Sequence, residues 1–360
     1  MSESPFSFTP GPVHVRADVL AAMATPPLPH RSDAFRAVVR RVQSGLARVL
    51  ATRSPVVPVL ASATGAFEAA LSAVARKRVL ALVNGSFGER WAAMGAALGF
   101  DVERLAFPPG EPVDPDAVRR ALAVGAFDAV TLVHSETSTG ALSDLTTIAE
   151  VVRARGGAAL VVDAVSSFGA LAIAFDALGP DVVLVGATGK GLACPPGMSV
   201  VAVGPGAAER ARTSEARSYA LRLDSLLAQH ARGETPQTPS TSLFHALDVQ
   251  LTHVLGEGIA AREARHREMA ATAQAWAARR FAVLPREGAR SPAVTVIENT
   301  VALDVPRLLA AVERRGFRIA DGHGALAGAT FRIGHLGDVT PADLARLLPA
   351  LDEAVDEVTR

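Results

Sequence analysis

Short apolar segments rich in β-branched residues alternate with longer segments of helical periodicity between residues 55 and 203. Helices are predicted in four of the intervals, at Gly65–Ala75, Glu89–Leu98, Asp114–Ala123 and Asp144–Arg155. Alternation of this kind predicts an α/β domain with a mainly parallel sheet flanked by helices. Seven strands are predicted, at Val56–Leu60, Val79–Val83, Val102–Leu105, Ala129–Val133, Ala159–Val162, Val182–Val185 and Ser199–Val203.

Different patterns precede and follow this region. Residues 1–32 are rich in proline and predict an extended N-terminal arm, which a helix from Asp33 to about Leu50 follows. After Arg232 a segment of Thr, Pro and Ser interrupts the helical pattern, and a long helical run over 243–280 then predicts a bridge between two domains.

The last third of the chain predicts a smaller α+β unit. Its elements are a strand at Val294–Ile297, a helix at Val305–Arg315, strands at Arg318–Ala320 and Thr330–Ile333, and a closing helix at Pro341–Val358. We therefore expect an N-terminal arm over residues 1–32, a large domain over 33–245 and a small C-terminal domain over 246–360.

Charge and cysteine content argue against several classes of protein. The 36 basic and 36 acidic residues cancel, so no overall field favours nucleic acid or an anionic membrane surface. One cysteine, Cys194, excludes an intrachain disulfide framework and a cysteine-rich metal site, and it fits a reducing compartment. The N-terminus does not resemble a signal peptide, and Asp163 interrupts the most apolar stretch. We expect a cytoplasmic protein with no metal, nucleic-acid or membrane partner.

Lys190 is the first candidate for chemistry. It follows a predicted buried strand in Gly186-Ala-Thr-Gly-Lys, and Lys77 is the only other lysine. Open α/β sheets bind ligands at the carboxyl ends of their strands, where a desolvated amine has a lowered pKa and can form an imine. A solvated loop lysine is the plainer interpretation.

Asp163 strengthens the interpretation of Lys190, because it ends the apolar strand Ala159–Val162. A carboxylate in that position is costly unless a cation meets it. A protonated pyridine nitrogen is such a cation, and its protonation lets pyridoxal phosphate accept electrons. Taken alone, Asp163 could equally cap a helix or bind a metal.

Five further positions are weaker candidates. Ala63 and Thr64 open a predicted helix, whose free N–H groups could hold a phosphate, although many such turns bind nothing. Phe87 could stack on a planar cofactor or pack in the core, and Thr137 lies in a hydroxyl-rich segment that could be an ordinary loop. Arg332, in a short apolar strand, could bind a carboxylate or lie at the surface.

Taken together, these segments resemble the class V aminotransferases of the fold-type I pyridoxal-phosphate superfamily, in particular the alanine/serine–glyoxylate (serine–pyruvate) branch. Nine segments match in order over nearly the whole chain: Thr9-Pro-Gly-Pro, His30-Arg-Ser, Ser62-Ala-Thr-Gly-Ala-Phe-Glu-Ala, Asn84-Gly-Ser-Phe-Gly-Glu-Arg, His134-Ser-Glu-Thr-Ser-Thr-Gly, Val162-Asp-Ala-Val-Ser-Ser, Lys190-Gly-Leu-Ala-Cys-Pro-Pro-Gly, Thr235-Pro-Gln-Thr-Pro and Phe331-Arg-Ile-Gly-His.

The resemblance implies a role for each candidate. Lys190 would hold pyridoxal 5′-phosphate as an imine, and Asp163 would pair with the ring nitrogen. The other roles would be phosphate binding by Ala63 and Thr64, ring stacking by Phe87, a contact on the ring hydroxyl side by Thr137, and substrate-carboxylate binding by Arg332.

The resemblance also implies a homodimer with composite active sites. In relatives, the segment like Thr235-Pro-Gln-Thr-Pro reaches the neighbouring subunit's phosphate, and either Thr235 or Thr238 could make that contact. One departure concerns the residue before the lysine, where the family commonly has Gln and this chain has Gly189. Thr188 could take over the phosphate contact.

The activity implied is transfer of an amino group from a small amino acid, such as alanine or serine, to a small 2-oxo acid, such as glyoxylate or pyruvate, by a ping-pong mechanism. Aminotransfer from 2-aminoethylphosphonate to pyruvate is the nearest alternative. A cysteine desulfurase or another lyase of the same fold is a further alternative; a desulfurase would need a mobile thiol, and Cys194 before Pro195-Pro196 is expected to be structural. A binding protein without turnover is the non-enzyme alternative.

Overall fold

The computed structural model describes residues 5–215 and 218–360. The helices are α1 (Ala17–Ala22), α2 (Asp33–Val49), α3 (Ala63–Val74), α4 (Ser86–Ala97), α5 (Pro115–Val124), α6 (Leu145–Arg155), α7 (Phe175–Leu178), α8 (Pro205–Arg212), α9 (Leu223–Arg232), α10 (Thr241–Glu257), α11 (Ile259–Ala277), α12 (Val305–Arg314) and α13 (Pro341–Thr359).

The strands are β1 (Phe6–Ser7), β2 (Val56–Val59), β3 (Arg78–Val83), β4 (Asp101–Ala106), β5 (Ala129–Val133), β6 (Ser135–Glu136), β7 (Ala141–Leu142), β8 (Ala159–Asp163), β9 (Val182–Ala187), β10 (Ser199–Val203), β11 (Ala282–Val283), β12 (Val294–Glu298), β13 (Phe317–Arg318), β14 (Ala320–Asp321) and β15 (Thr330–Gly334).

Seven of these strands form the predicted sheet, in the order β2-β10-β9-β8-β5-β3-β4. The strands from β9 to β4 in that order run parallel, and β10 is antiparallel to both of its neighbours. The prediction of a mainly parallel sheet of seven strands is therefore confirmed. All seven predicted strands are present, and their end positions differ from the prediction by at most two residues.

Both faces of this sheet are covered, which explains why its central strands are apolar throughout rather than alternating. Successive residues point to opposite faces, so Leu160 and Val162 join an apolar cluster with α2, α5, α6 and α10. Ala159 and Val161 join a second cluster with α3, α4, α8 and α9. The two clusters hold the carboxyl ends of the parallel strands at one edge.

The C-terminal part of the chain forms a separate antiparallel sheet of four strands, in the order β11-β12-β15-β14. Apolar residues of α11, α12 and α13 pack on it, among them Trp276, Leu308 and Leu351. The segment predicted as one strand at Arg318–Ala320 is two short strands, β13 and β14.

Two other expectations need correction. The predicted extended arm contains a strand and a helix, since β1 pairs in parallel with β13 and residues 17–22 form α1. The long helical run over 243–280 is two helices, because Gly258 has a φ of +81° and cannot continue α10. Within the described ranges, no helix has the length and apolar character needed to cross a membrane.

Candidate active site

A cavity of about 260 Å³ opens at the carboxyl ends of the central strands. The starts of α3 and α4 and the end of β8 contribute to its wall. Six residues singled out from the sequence line it: Ala63, Thr64, Phe87, Thr137, Asp163 and Lys190. Convergence at this edge follows from the topology, because parallel strands bring all of their carboxyl ends together.

Asp163 is the last residue of β8 and is 5% exposed. The Val165 N–H donates to its Oδ1 at 3.0 Å, and no described cation lies within ion-pair distance. Burial raises the pKa of Asp163 to about 7, and Glu136 adds to the rise, while the Val165 N–H, Trp91 and Lys190 oppose it. A buried carboxylate in this state would be stabilised as an anion by a cationic ligand atom.

Lys190 lies in the loop that follows β9, and its ammonium donates to the Pro10 carbonyl oxygen at 2.5 Å. Burial lowers its pKa to about 8, helped by Arg332 and Arg90 and opposed by Asp163. An appreciable fraction of the amine is therefore neutral near physiological pH, as a nucleophile or proton acceptor requires.

The N-terminal segment covers Lys190 closely. Gly11 has a φ of +121°, and a Cβ added there would lie 2.4 Å from the Cδ of Lys190. On the other side, a Cβ added at Gly334 would lie 2.3 Å from the Thr9 carbonyl oxygen. The Thr9-Pro-Gly-Pro motif thus sits between the lysine and β15, with no room for a side chain at either glycine.

The first turn of α3 presents free N–H groups to the cavity. Ser62 is the N-cap and accepts from the Gly65 N–H at 3.4 Å. No hydrogen-bond partner is found for the N–H groups of Ala63 and Thr64 within the described residues. The helix begins two residues earlier than predicted, so both residues are helical, and the positive end of the helix dipole faces the cavity, where it would stabilise an anion.

Phe87 also lies on a helix rather than in the predicted turn, because α4 begins at Ser86. Its ring centroid is 5.1 Å from that of His323, and the Arg90 guanidinium lies 4.9 Å from it. Nδ1 of His323 is buried and has no hydrogen-bond partner among the described residues. The ring therefore contacts two groups at the cavity wall, one from its own helix and one from the segment after β14.

Arg332 points inward from β15 and is 9% exposed. Its Nε donates to the Asp321 carbonyl oxygen at 2.7 Å and one terminal nitrogen donates to the Thr137 carbonyl oxygen at 3.3 Å. Burial lowers its pKa, and none of the described carboxylates pairs with it. A buried guanidinium bonded to carbonyl groups can still bind a ligand carboxylate through its remaining N–H groups.

Three predicted phosphate contacts do not line this cavity. The Thr188 hydroxyl donates into its own loop, at 2.8 Å to the Pro195 carbonyl oxygen and 3.0 Å to that of Met198. Its placement is a correction to the expectation that it replaces the family Gln. Thr235 and Thr238 lie in the segment between α9 and α10 and are not among the residues that line the cavity.

Glu136 is the main residue that sequence reasoning passed over. It is fully buried, and its carboxylate accepts the N–H groups of Phe87 and Gly88, each at 3.1 Å. Burial raises its pKa. The only indication in the sequence was a charged residue within the hydroxyl-rich segment His134-Ser-Glu-Thr-Ser-Thr. The hydrogen-bond partners of Glu136 lie 48 and 49 residues away along the chain, so the local sequence does not reveal them.

Comparisons with known proteins identify the family of this chain. The class V aminotransferase family model matches residues 20–302. The chain is 35% identical to the soluble hydrogenase small subunit of Synechococcus sp. (strain PCC 6716), covering 99% of this chain and 94% of that protein. It is 31% identical to the L-aspartate–glyoxylate aminotransferase of Paracoccus denitrificans, covering 95% and 88% respectively.

The fold is also that of a solved aminotransferase. The alanine–glyoxylate aminotransferase of Nostoc sp. superposes with a TM-score of 0.93 at 28% identity, covering 99% of this chain and 96% of that one. The predicted resemblance, including the alanine/serine–glyoxylate branch, is confirmed. The protein belongs to the class V aminotransferase family, on the fold of the type I pyridoxal-phosphate enzymes.

Proposed function

We propose that this aminotransferase moves the amino group of a small amino acid, such as alanine or serine, to glyoxylate or pyruvate, using pyridoxal 5′-phosphate held by Lys190. The observation that carries the proposal is the placement of Lys190 and Asp163 in one cavity, with Arg332 bonded to the carbonyl oxygen of Thr137 at its edge. Among the described residues, an amine with a pKa near 8, an unpaired carboxylate and a guanidinium without a carboxylate match the needs of amino-group transfer.

The residues of the cavity fit the cofactor. Within the described part of the chain, Asp163 is a buried carboxylate without a cation, and Ala63 and Thr64 present N–H groups without acceptors. When bound, pyridoxal phosphate supplies the carbonyl carbon that receives the amino group and a ring that accepts the electron pair released at Cα. Asp163 would keep the ring nitrogen protonated, Ala63 and Thr64 would bind the phosphate, and Phe87 and Thr137 would contact the ring.

The remaining steps belong to Lys190 and Arg332. The guanidinium of Arg332 would bind the α-carboxylate and so orient the substrate's Cα–H bond for deprotonation rather than decarboxylation. The amine of Lys190, freed when the substrate's amino group takes its place on the cofactor, would accept the proton from Cα and hold it for return during the transfer. The oxo acid product would leave before the second oxo acid enters, which gives ping-pong kinetics.

We also propose a homodimer with composite sites, as the family resemblance implies, in which the segment between α9 and α10 reaches the neighbouring subunit. The Thr235 hydroxyl already donates to the Gln237 carbonyl oxygen at 2.9 Å, whereas Thr238 is exposed. We therefore assign Thr238 as the residue that reaches the neighbouring subunit's phosphate. The cytoplasm is the compartment we propose, in keeping with the free, buried thiol of Cys194.

The other reactions of this fold are less well supported. Burial raises the pKa of Cys194 to about 12, and the thiol is 1% exposed, so it is a poor nucleophile for desulfuration. A single cysteine also cannot supply the thiolates of an iron–sulfur cluster, although two relatives are named as hydrogenase subunits.

A panel of amino donors tests the proposal. The purified enzyme, loaded with pyridoxal phosphate, would be mixed singly with alanine, serine, aspartate and 2-aminoethylphosphonate, while the cofactor absorbance is followed. 2-Aminoethylphosphonate belongs in the panel because a Burkholderia mallei transaminase for it is 36% identical over 339 residues. We expect alanine or serine to convert the cofactor to its amine form, and glyoxylate or pyruvate to reverse the change. If 2-aminoethylphosphonate alone converted the cofactor, the enzyme would be a 2-aminoethylphosphonate transaminase and the proposed donor would be wrong.

A further inference from the structure

Both carboxylate oxygens of Glu136 accept hydrogen bonds. One oxygen accepts the N–H groups of Phe87 and Gly88 at 3.1 Å each, and the other accepts the N–H of Ser138 at 3.1 Å and its hydroxyl at 2.5 Å. No described lysine, arginine or histidine forms an ion pair with it. The charge of this buried group is therefore balanced by hydrogen bonds, half of them from N–H groups at the start of a helix.

The start of α4 depends on this turn. Its N-cap, Gly85, has no side chain to accept a hydrogen bond, and the Ser138 hydroxyl accepts the Ser86 N–H at 2.9 Å. The first three N–H groups of α4 are thus bound by two side chains of a separate segment. A Cβ added at Gly85 would lie 2.5 Å from both the Glu136 Cγ and the Ser138 Oγ, so the two segments are in close contact.

The same turn also touches the substrate side of the cavity. Between Glu136 and Ser138 lies Thr137, whose carbonyl oxygen accepts from Arg332 at 3.3 Å. The turn over residues 136–138 therefore joins the helix that carries Phe87 to the guanidinium on β15.

We propose that Glu136 is a positioning residue for the transfer reaction, an inference that rests on the proposed function. Its carboxylate fixes the first turn of α4 so that the Phe87 ring lies against the cofactor, and its turn supports Arg332 through the Thr137 carbonyl. Glu136 acts through Phe87 and Arg332 and touches neither cofactor nor substrate itself.

A residue that only caps a helix would make similar hydrogen bonds to backbone N–H groups. Asp114 is such a residue and serves as the control. Its carboxylate caps α5, accepting the N–H groups of Asp116 at 2.9 Å and Ala117 at 3.3 Å, outside the cavity. Asp114→Asn and Glu136→Gln make the same chemical change at a helix start. Asp114 is half exposed whereas Glu136 is buried, so Asp114→Asn reports what the loss of a capping charge does at a helix outside the site.

The test measures the affinity of the apoenzyme for pyridoxal phosphate and the visible circular dichroism of the bound cofactor, in full-length protein. We expect Glu136→Gln to raise the dissociation constant about tenfold and to alter the dichroism, and Asp114→Asn to change neither. In a Phe87→Ala background, Glu136→Gln should cost less than about twofold, because the ring that it positions is gone. Equal losses of cofactor affinity in the parent and Phe87→Ala backgrounds would overturn the proposal. So would a Glu136→Gln variant with unchanged affinity and dichroism.

Two further measurements keep the outcome decisive. If Glu136→Gln does not fold, Ser138→Ala removes one bond of the carboxylate and the Ser86 cap, and it should change the dichroism in the same direction. Amide hydrogen exchange in the apoenzyme should be faster at Phe87 and Gly88 in either variant, and unchanged exchange there contradicts the proposal. A parent enzyme that binds no cofactor would refute the proposed function, whereas a normal parent with an unaffected variant would refute this inference alone.

Discussion

The two walls of the cavity are held in place in different ways. Asp163, Ala63 and Thr64 stand on the large sheet and on a helix beside it, where their positions follow from strand and helix ends. The second wall lies behind the lining residues: Arg332 on β15 and Pro10 in the N-terminal segment do not line the cavity, and each makes one hydrogen bond to a residue that does, Thr137 and Lys190 respectively. The first wall carries the proposed cofactor contacts, and the second carries the proposed substrate contact.

This difference predicts two kinds of defect. A change in the sheet wall should affect every substrate alike, since it acts on the cofactor. A change in the opposite wall should depend on whether the substrate has a carboxylate. The expected effects decrease from the buried carboxylate of Asp163 to the exposed guanidinium of Arg90.

Asp163→Asn should have the largest effect on the reaction rate, and the effect should be the same for every substrate. A neutral amide cannot hold the ring nitrogen protonated, so deprotonation at Cα should slow by about 10³-fold for every responsive amino acid. Single-turnover absorbance measurements with alanine and serine would report the rate. Asp304→Asn, which removes the N-cap of α12 in the C-terminal part of the chain, is the control. A loss confined to one substrate would break the comparison.

Arg332→Lys should have a smaller effect that depends on the substrate. An ammonium keeps the charge but cannot make two parallel bonds to a carboxylate, so kcat/KM for α-amino acids should fall about 10²-fold. Amines without a carboxylate are expected to be poor substrates of the parent and to lose little more. Arg279→Lys, at a surface ion pair with Asp352, is the matched control. An unaffected rate with alanine or serine would place the carboxylate site elsewhere.

The sheet wall was also the part that the sequence predicted better. Asp163 and Lys190 follow apolar runs whose identity as strands is local information, and the topology then brings their ends together. The seven strands were found because their β-branched runs are bounded by turn residues. The resemblance to a known family added the roles that local patterns left open.

The opposite wall could not be predicted in the same detail, because its contacts join residues far apart in the chain. Nothing near Glu136 in sequence indicates that it caps α4, and nothing near Pro10 indicates that its carbonyl meets Lys190. Thr188 was expected at the phosphate because it lies two residues before Lys190, but its hydroxyl donates to carbonyl groups of its own loop.

The break between α10 and α11 was missed for another reason. It depends on the backbone conformation of Gly258, which helical periodicity does not reveal.

The pH dependence of cofactor capture sharpens the description of Lys190. Its pKa is lowered to about 8, so the fraction of the amine that is neutral and reactive increases as the pH rises. Deprotonation is nearly complete above about pH 9. Capture of added pyridoxal phosphate by the apoenzyme should therefore speed up about tenfold between pH 7 and 9 and then level off. Stopped-flow absorbance would follow it. A rate that keeps rising through about pH 10 would indicate an ordinary, solvated lysine.

Arg90→Gln should have the smallest effect. Arg90 is exposed at the cavity mouth and contributes to the lowered pKa of Lys190, so its removal should shift the capture profile to higher pH. At pH 7 the rate should fall less than about threefold, because an exposed charge is well screened. Arg104→Gln, on the neighbouring edge strand β4, serves as the control. A shift to lower pH would contradict the repulsion between the Arg90 guanidinium and the Lys190 ammonium.

The central claim is that Lys190 holds the cofactor, and covalent labelling tests it most directly. The enzyme loaded with pyridoxal phosphate would be reduced with borohydride, digested and analysed by peptide mass spectrometry. The chain has two lysines, Lys77 and Lys190, so the assignment has two possible answers besides no label. We predict the pyridoxyl group on the peptide that contains Lys190, at close to one per chain. Labelling of Lys77, or no stable label on either lysine, would contradict the account.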